Sequence, residues 1–204
     1  MNRKYFVTGI GTEIGKTVTS AVLVEKLKAD YWKPIQSGEL DHSDSMKVKS
    51  LIYNNKSIFH QEAYRLTKPY SPHYSAELDG IEISLTKIQT PETTNTLIIE
   101  GAGGLMVPVN QDQLMIDLIK QLDVEVILVS KNYLGSINHT LLSVEALNNR
   151  GIAIKGIIFN GQETPSTELI IQKLTKLNVI GRIPEIETLN KESIKAATHF
   201  IEID

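Results

Sequence analysis

Thr8-Gly9-Ile10-Gly11-Thr12-Glu13-Ile14-Gly15-Lys16-Thr17 is the stretch on which the fold of this chain turns. It follows a run of β-branched and aromatic residues, Tyr5 to Thr8. It opens a helical pattern from Gly15 in which Val18, Ala21, Val22 and Leu27 fall largely on one face. A glycine-rich loop set between strand and helix offers backbone N–H groups and the positive end of the helix to an anion. Lys16 then reaches the β- and γ-phosphates of a nucleotide, and the Thr17 hydroxyl is placed to bind magnesium. The loop is a variant, because the position five places before Gly15 is Ile10, with Gly9 one residue earlier.

Working outward, four more apolar runs are each followed by turn chemistry and a helical pattern: Leu97 to Glu100, Val124 to Ser130, Gly156 to Asn160 and Val179 to Ile183. A sixth, weaker strand is expected over Tyr31 to Ile35. One further helix carries Leu141, Leu142, Val144 and Leu147 and ends at Asn148-Asn149-Arg150-Gly151. Another opens at Thr164-Pro165 and runs through Leu169 to Leu174. Strands alternating with helices predict an α/β fold, P-loop NTPase-like, with a mainly parallel central sheet flanked by helices. Gly38 to Pro91 is weakly patterned and reads as a loop-and-helix insertion over the active face, within a single domain spanning 1–204.

Composition narrows the partners. The net charge of −3 provides no basic footprint for nucleic acid, and the absence of cysteine removes disulfides, thiolate metal sites and thiol nucleophiles. No apolar run is long enough to span a bilayer, and Met1-Asn2-Arg3-Lys4 leaves no room for a leader before the strand. A cytoplasmic protein is expected.

A nucleotide site also needs an acidic group near its metal. Glu100 ends an apolar strand ahead of the flexible Gly101-Ala102-Gly103-Gly104 and is the first candidate. In the acidic loop any of Glu39, Asp41 or Asp44 could serve, or the loop is simply solvated. Lys33 precedes Pro34, which favours an extended conformation, and on the residues alone it reads more readily as a surface lysine than as a site residue. The arginines, Arg3, Arg65, Arg150 and Arg182, are scattered, which disfavours the arginine-rich lid of a small-molecule kinase. Glutamine-dependent amide transfer is disfavoured by the missing thiol.

Several strings together resemble the dethiobiotin synthetase family: the phosphate loop, Lys33-Pro34-Ile35-Gln36-Ser37-Gly38, Ser43-Asp44, Ser71-Pro72-His73 and Glu100-Gly101-Ala102-Gly103-Gly104. Further on come Leu134-Gly135-Ser136-Ile137-Asn138-His139, Asn160-Gly161 and Gly181-Arg182-Ile183-Pro184. Their order covers nearly the whole chain. The resemblance implies that Thr17, Asp44 and Glu100 surround Mg2+, and that Glu13, Ile14, Gly15, Lys16, Thr17 and Val18 hold the triphosphate of ATP. Gly101, Ala102 and Gly103 would also lie at the nucleotide, with Asn160, Gly161, Pro184, Glu185 and Ile186 at the adenine end. Lys33 and Lys16 would be catalytic, and Thr12, Lys33 and Ser37 would meet a diamine. The resemblance also implies a homodimer, with the substrate carboxylate at the partner's Gly135, Ser136, Ile137 and Asn138; no role follows for His73 or His139.

The reaction implied is closure of 7,8-diaminononanoate with CO2 to dethiobiotin, driven by ATP, in biotin biosynthesis. Two other readings compete. One is a partitioning or switch ATPase, against which Ala196 to Asp204 is short and not basic enough for a membrane anchor. The other is an amide-forming ligase of the same superfamily.

Overall fold

The computed structural model describes residues 3–203, so Met1 and Asn2 of the leader reading and Asp204 of the C-terminal stretch lie outside it. Its strands are β1 (Lys4–Gly9), β2 (Asp30–Trp32), β3 (Ile35–Ser37), β4 (Phe59–His60), β5 (Tyr64–Leu66), β6 (Leu97–Gly104), β7 (Glu125–Lys131), β8 (Ile154–Asn160) and β9 (Val179–Ile183). The helices are α1 (Lys16–Leu27), α2 (Asp44–Leu51), α3 (Pro72–Leu78), α4 (Met115–Leu122), α5 (Ser136–Asn149), α6 (Pro165–Thr175) and α7 (Lys191–Ala197).

Seven strands form one sheet in the order β4-β2-β6-β1-β7-β8-β9, and every pairing between them is parallel. Parallel strands bury both faces, which is why they read as nearly continuous apolar runs. Alternation then assigns the faces. Tyr5, Val7, Tyr31 and Ile98 pack with Ala21 to Val24 of α1, with Val48 of α2 and with Ile194 of α7. Phe6, Trp32, Leu97 and Ile99 pack on the opposite side with Ile116 and Ile119 of α4, Val144 and Leu147 of α5 and Ile171 of α6. Burying each such aliphatic side chain contributes about 1.5–3 kcal/mol.

From β1 the chain first moves to one side, through β2 and β6, and then to the other, through β7, β8 and β9. The reversal opens a crevice at the carboxyl ends of the central strands, the place where open α/β sheets bind ligands.

The structure corrects four expectations. The strand expected over Tyr31 to Ile35 is two strands in different sheets: β2 joins the main sheet, whereas β3 pairs only with β5. Pro34 between them has no N–H for a ladder, and its carbonyl instead accepts from Tyr64 N–H at 3.0 Å. Glu100 does not end its strand, because β6 continues through Gly104. The glycines there permit close approach rather than flexibility: a Cβ on Gly101 would lie 2.7 Å from the Phe6 ring. The segment from Gly38 to Pro91 is more than loop and helix, since it supplies the edge strand β4 and the strand β5 that pairs with β3. The buried face of α5 is Ser136, Thr140, Val144 and Leu147, and Leu142 is exposed.

Candidate active site

The loop between β1 and α1 closes by two left-handed residues, Glu13 at φ 55° and Gly15 at φ 91°. It is held from three sides. Ile10 N–H donates to Val129 O at 3.2 Å, Lys16 Nζ donates to Gly11 O at 2.9 Å, and Asn160 Nδ2 donates to Ile14 O at 2.8 Å. Lys16 is buried, and that burial lowers its pKa from 10.5 to about 8; the negative charge of Glu100 opposes the fall, the Lys33 charge adds to it and Asp44 opposes it. The ammonium therefore lies in a place that discourages charge until an anion arrives.

Strand register brings the acidic groups to this loop. Glu100 follows Ile98 by two residues, so it continues on the α1 face of the sheet, opposite Val7 in β1. There Thr17 Oγ1 donates to Glu100 Oε1 at 2.8 Å and reaches Asp44 Oδ1 at 3.3 Å. Asp44 arrives at the first turn of α2, where Ser43 caps the helix by accepting from Met46 N–H at 3.4 Å. Of the three acidic-loop candidates, Glu39 pairs with Lys47 at the surface, Asp41 is exposed, and Asp44 enters the cluster.

Lys33 is no surface lysine. Tyr31 pairs with Ile98 and Trp32 with Ile99, so the next residue of the chain comes beside Glu100. Its ammonium lies 2.7 Å from Asp44 Oδ2 and 3.3 Å from Glu100 Oε1, and the residue is 5% exposed. Burial works to strip its proton, but the charges of Glu100 and Asp44 outweigh it and hold the Lys33 pKa above 10.5. On Asp44 burial pushes upward too, and the Lys33 charge overcomes it, keeping the carboxyl below its usual value. Placed between the two carboxylates, Lys33 is held towards its charged form.

Two residues of this cluster escaped the sequence reading. Tyr31, fully buried, donates its hydroxyl to Glu100 Oε2 at 3.0 Å, and burial followed by the charges of Glu100 and Asp44 holds its phenol well above 10.0. The alternation that sets Tyr31 and Lys33 two apart on one face was the available signal. Gln36 accepts from Asp44 N–H at 3.2 Å and donates to Gly38 O at 3.0 Å, fixing the start of α2 against β3.

Beside the cluster lies a cavity of about 380 Å³ lined by Thr12, Lys33, Ser37, Asp44, Ala102 and Gly103 among others, and walled by Pro69 to Pro72. Ser37 Oγ is buried with no hydrogen-bond partner among the described residues. At the other end of the loop, Asn160 touches Gly15, and Gly161 N–H donates to Ile183 O at 2.8 Å, which brings the segment from Pro184 to Ile186 alongside. Val18 is half-buried on the α1 side of the core.

Gly135, Ser136, Ile137 and Asn138 lie apart from that cavity. Gly135 is the N-cap of α5 at φ 105°, the other three form the first turn, and Ser136 Oγ is buried without a partner among the described residues. A second, more apolar cavity of about 530 Å³ runs from Gly9 to Thr12 past Leu105 to His139 and Leu142. His139 Nδ1 is 2.7 Å from the Tyr133 hydroxyl, and His73 Nδ1 is 3.0 Å from Ser71 Oγ.

Among the described residues, no group of three or more His, Cys, Asp or Glu side chains could hold a metal. The set present is two carboxylates and one hydroxyl, all hard oxygens, beside a phosphate loop. That fits magnesium, which usually takes one or two carboxylates and completes its shell with phosphate oxygens and water. Nor is any described helix long and apolar enough to cross a membrane.

Residues 3–193 match the family model described as an AAA domain. An ATP-dependent dethiobiotin synthetase BioD of Christiangramia forsetii is 59% identical over 91% of this chain and 89% of its own length. The Cytophaga hutchinsonii protein of the same name is 49% identical over 95% and 94%. That of Rhodopseudomonas palustris is 43% identical over 97% and 94%. Among solved structures, the cell division ATPase MinD of Pyrococcus furiosus superposes with a TM-score of 0.62 at 14% identity, covering 98% of both chains. A ParA family ATPase of Chlorobium tepidum superposes at 0.60, also at 14% identity, over 97% and 91%. Likeness at that identity concerns the fold alone.

Proposed function

The chain belongs to the ATP-dependent dethiobiotin synthetase family, and from that membership we propose that it closes 7,8-diaminononanoate with CO2 to dethiobiotin in the cytoplasm, converting ATP to ADP and phosphate. The observation that carries the reading to particular residues is the meeting of Lys33, Asp44, Glu100 and Thr17 beside the loop of Lys16.

In the proposed sequence one neutral amine of the diamine adds to CO2, gives up an N–H proton to solvent and becomes a carbamate. Lys33, kept as an ammonium by its two carboxylates, offsets the new negative charge. A carbamate oxygen attacks the γ-phosphorus, while Lys16 and the N–H groups from Glu13 to Val18 hold the phosphates and the departing ADP. Thr17, Asp44 and Glu100 would hold magnesium, which when bound supplies charge neutralisation on the phosphate oxygens. Phosphorylation converts a carbamate oxygen, a poor leaving group, into part of a carbamic-phosphoric anhydride. The second amine then attacks the same carbonyl, phosphate leaves and the cyclic urea closes. Because both amines belong to one molecule held in one pocket, this last step gains the advantage of an intramolecular reaction. The unpartnered Ser37 hydroxyl supports an amine or carbamate in the 380 Å³ cavity. Gly101 to Gly103 flank the phosphates, and Asn160, Gly161 and Pro184 to Ile186 flank the base.

The reading extends to a homodimer. Exposed Tyr133 and Leu134 precede α5 and exposed Leu142 follows its first turn, and the N–H groups of Ile137 and Asn138 at that helix start suit the carboxylate of a substrate reaching across from a partner.

The test is ATP hydrolysis measured with diamine, CO2 and Mg2+ omitted one at a time. ADP release is expected to need all three, and release that ignores the diamine would favour a switch ATPase. Lys33→Ala is expected to keep nucleotide binding and lose dethiobiotin formation at least about 100-fold, the scale of removing one electrostatic donor. Unchanged turnover removes Lys33 from the chemistry.

A further inference from the structure

The two oxygens of Glu100 have different neighbours. Oε1 faces the site, where Thr17 Oγ1 stands at 2.8 Å and Lys33 Nζ at 3.3 Å. Oε2 faces the core, where the Tyr31 hydroxyl donates to it at 3.0 Å. Neither residue has room to turn. Glu100 is 1% exposed, Tyr31 is 0% exposed, and the Tyr31 ring packs on Phe59 with centroids 5.5 Å apart.

Oε2 already accepts from Tyr31 on the core side, so turning it towards an ion together with Oε1 would bend or break that bond and leave a phenol hydroxyl poorly paired in the core. An unsatisfied buried donor is costly. The constraint discriminates between ions. Mg2+ is small and demands near-ideal octahedral geometry, to which a carboxylate contributes a single oxygen, whereas Ca2+ accepts bidentate carboxylates in larger, irregular shells.

We infer that Tyr31 is a positioning residue for the divalent cation: by occupying Glu100 Oε2 it restricts Glu100 to one-oxygen ligation and biases the site towards Mg2+ over Ca2+. The inference rests on the reading of Thr17, Asp44 and Glu100 as the magnesium site, and it adds a residue and a selectivity to that reading.

The test measures Mn2+ binding by electron paramagnetic resonance on the full chain with ADP present, with Mg2+ and Ca2+ as competitors. Tyr31→Phe keeps the ring and removes only the hydroxyl. It is expected to weaken Mn2+ binding about 10–100-fold, the usual cost of losing an outer partner of a metal ligand, and to narrow the preference for Mg2+ over Ca2+. Its ADP affinity in EDTA is expected to match that of the wild type. Phe59→Leu, which loosens the ring's packing but spares the hydroxyl, is expected to lower the melting temperature without changing either ion property. Unchanged Mn2+ affinity and ion preference in Tyr31→Phe, or an equal loss in Phe59→Leu, overturns the inference. So does a wild-type protein from which Ca2+ displaces Mn2+ as readily as Mg2+ does, an outcome that needs no variant to fold. Glu100→Gln separates the two levels. If it binds Mn2+ normally, the metal site itself is misassigned; if it loses Mn2+ while Tyr31→Phe does not, only the role of Tyr31 falls.

Discussion

Lys16 and Lys33 are both buried lysines, yet their surroundings drive them apart. Burial dominates at Lys16 and lowers it to about 8, while at Lys33 the charges of Glu100 and Asp44 outweigh burial and raise it. Below about pH 8 the folded and unfolded chains both carry the Lys16 proton, and the nucleotide-free fold bears the full burial penalty. Between about 8 and 10.5 the folded chain releases that proton while the unfolded chain keeps it, so this group's contribution to stability rises with pH across that window. Phosphates reverse the preference by favouring the ammonium. ATP binding is therefore expected to take up little proton on Lys16 near pH 6.5 and most of a proton near pH 9, roughly as a group of pKa about 8 dictates. Calorimetry in buffers of different ionisation enthalpy measures this, and uptake that does not grow with pH would count against it. Lys16 was legible in the sequence because a loop motif has local meaning. Lys33 and Asp44 acquired roles only through the family resemblance, since their environment is made by strands and helices remote in the chain.

The element that carries the site is the strand-loop-helix unit of β1 and α1, and its geometry depends on Gly15. The residue sits at φ 91°, and an added Cβ would lie 2.1 Å from Asn160 Nδ2, the group that holds the Ile14 carbonyl. Gly15→Ala thus combines left-handed strain of about 1–2 kcal/mol with displacement of Asn160. It is expected to weaken ADP binding at least about tenfold, the equivalent of that strain, as read by calorimetric titration. Retained affinity would mean that the loop relaxes without Asn160. Other elements were less legible. α4 is absent from the helices expected above, although Met115, Ile116, Leu118, Ile119 and Leu122 follow helical spacing and are all buried. α7, with Ile194 and Ala197 buried, has only seven residues, which carry too little periodic signal to mark a helix. β2 and β3 read as one strand because a strand pattern does not say with which neighbour it pairs.

On the scale of the whole molecule, the sheet order gathers β1, β6 and β2 side by side and leaves the first turn of α5 outside the cavity that holds Lys33 and Ser37. A homodimer would unite the two. The wild-type chain is expected to sediment as a dimer, and Leu142→Asp, which places a charge on the exposed flank of α5, is expected to shift it towards monomer. That variant should raise the KM for the diamine with ADP affinity unchanged, because the phosphate loop lies within one chain. A wild-type monomer with full activity would remove the partner from the reading. Sequence alone determined the α/β class, the phosphate loop and the parallel strands, because each rests on periodicity or on a motif complete within some ten residues. Tertiary structure alone decided that Glu100 lies within a strand, that Asp44 and not Glu39 or Asp41 shares Thr17 and Lys33 with it, and that Tyr31 holds its far oxygen. The bonds made by Thr17 and Tyr31 join residues from 27 to 83 positions apart, and only the pairing of β2 and β6 with the docking of α2 brings them within hydrogen-bond reach.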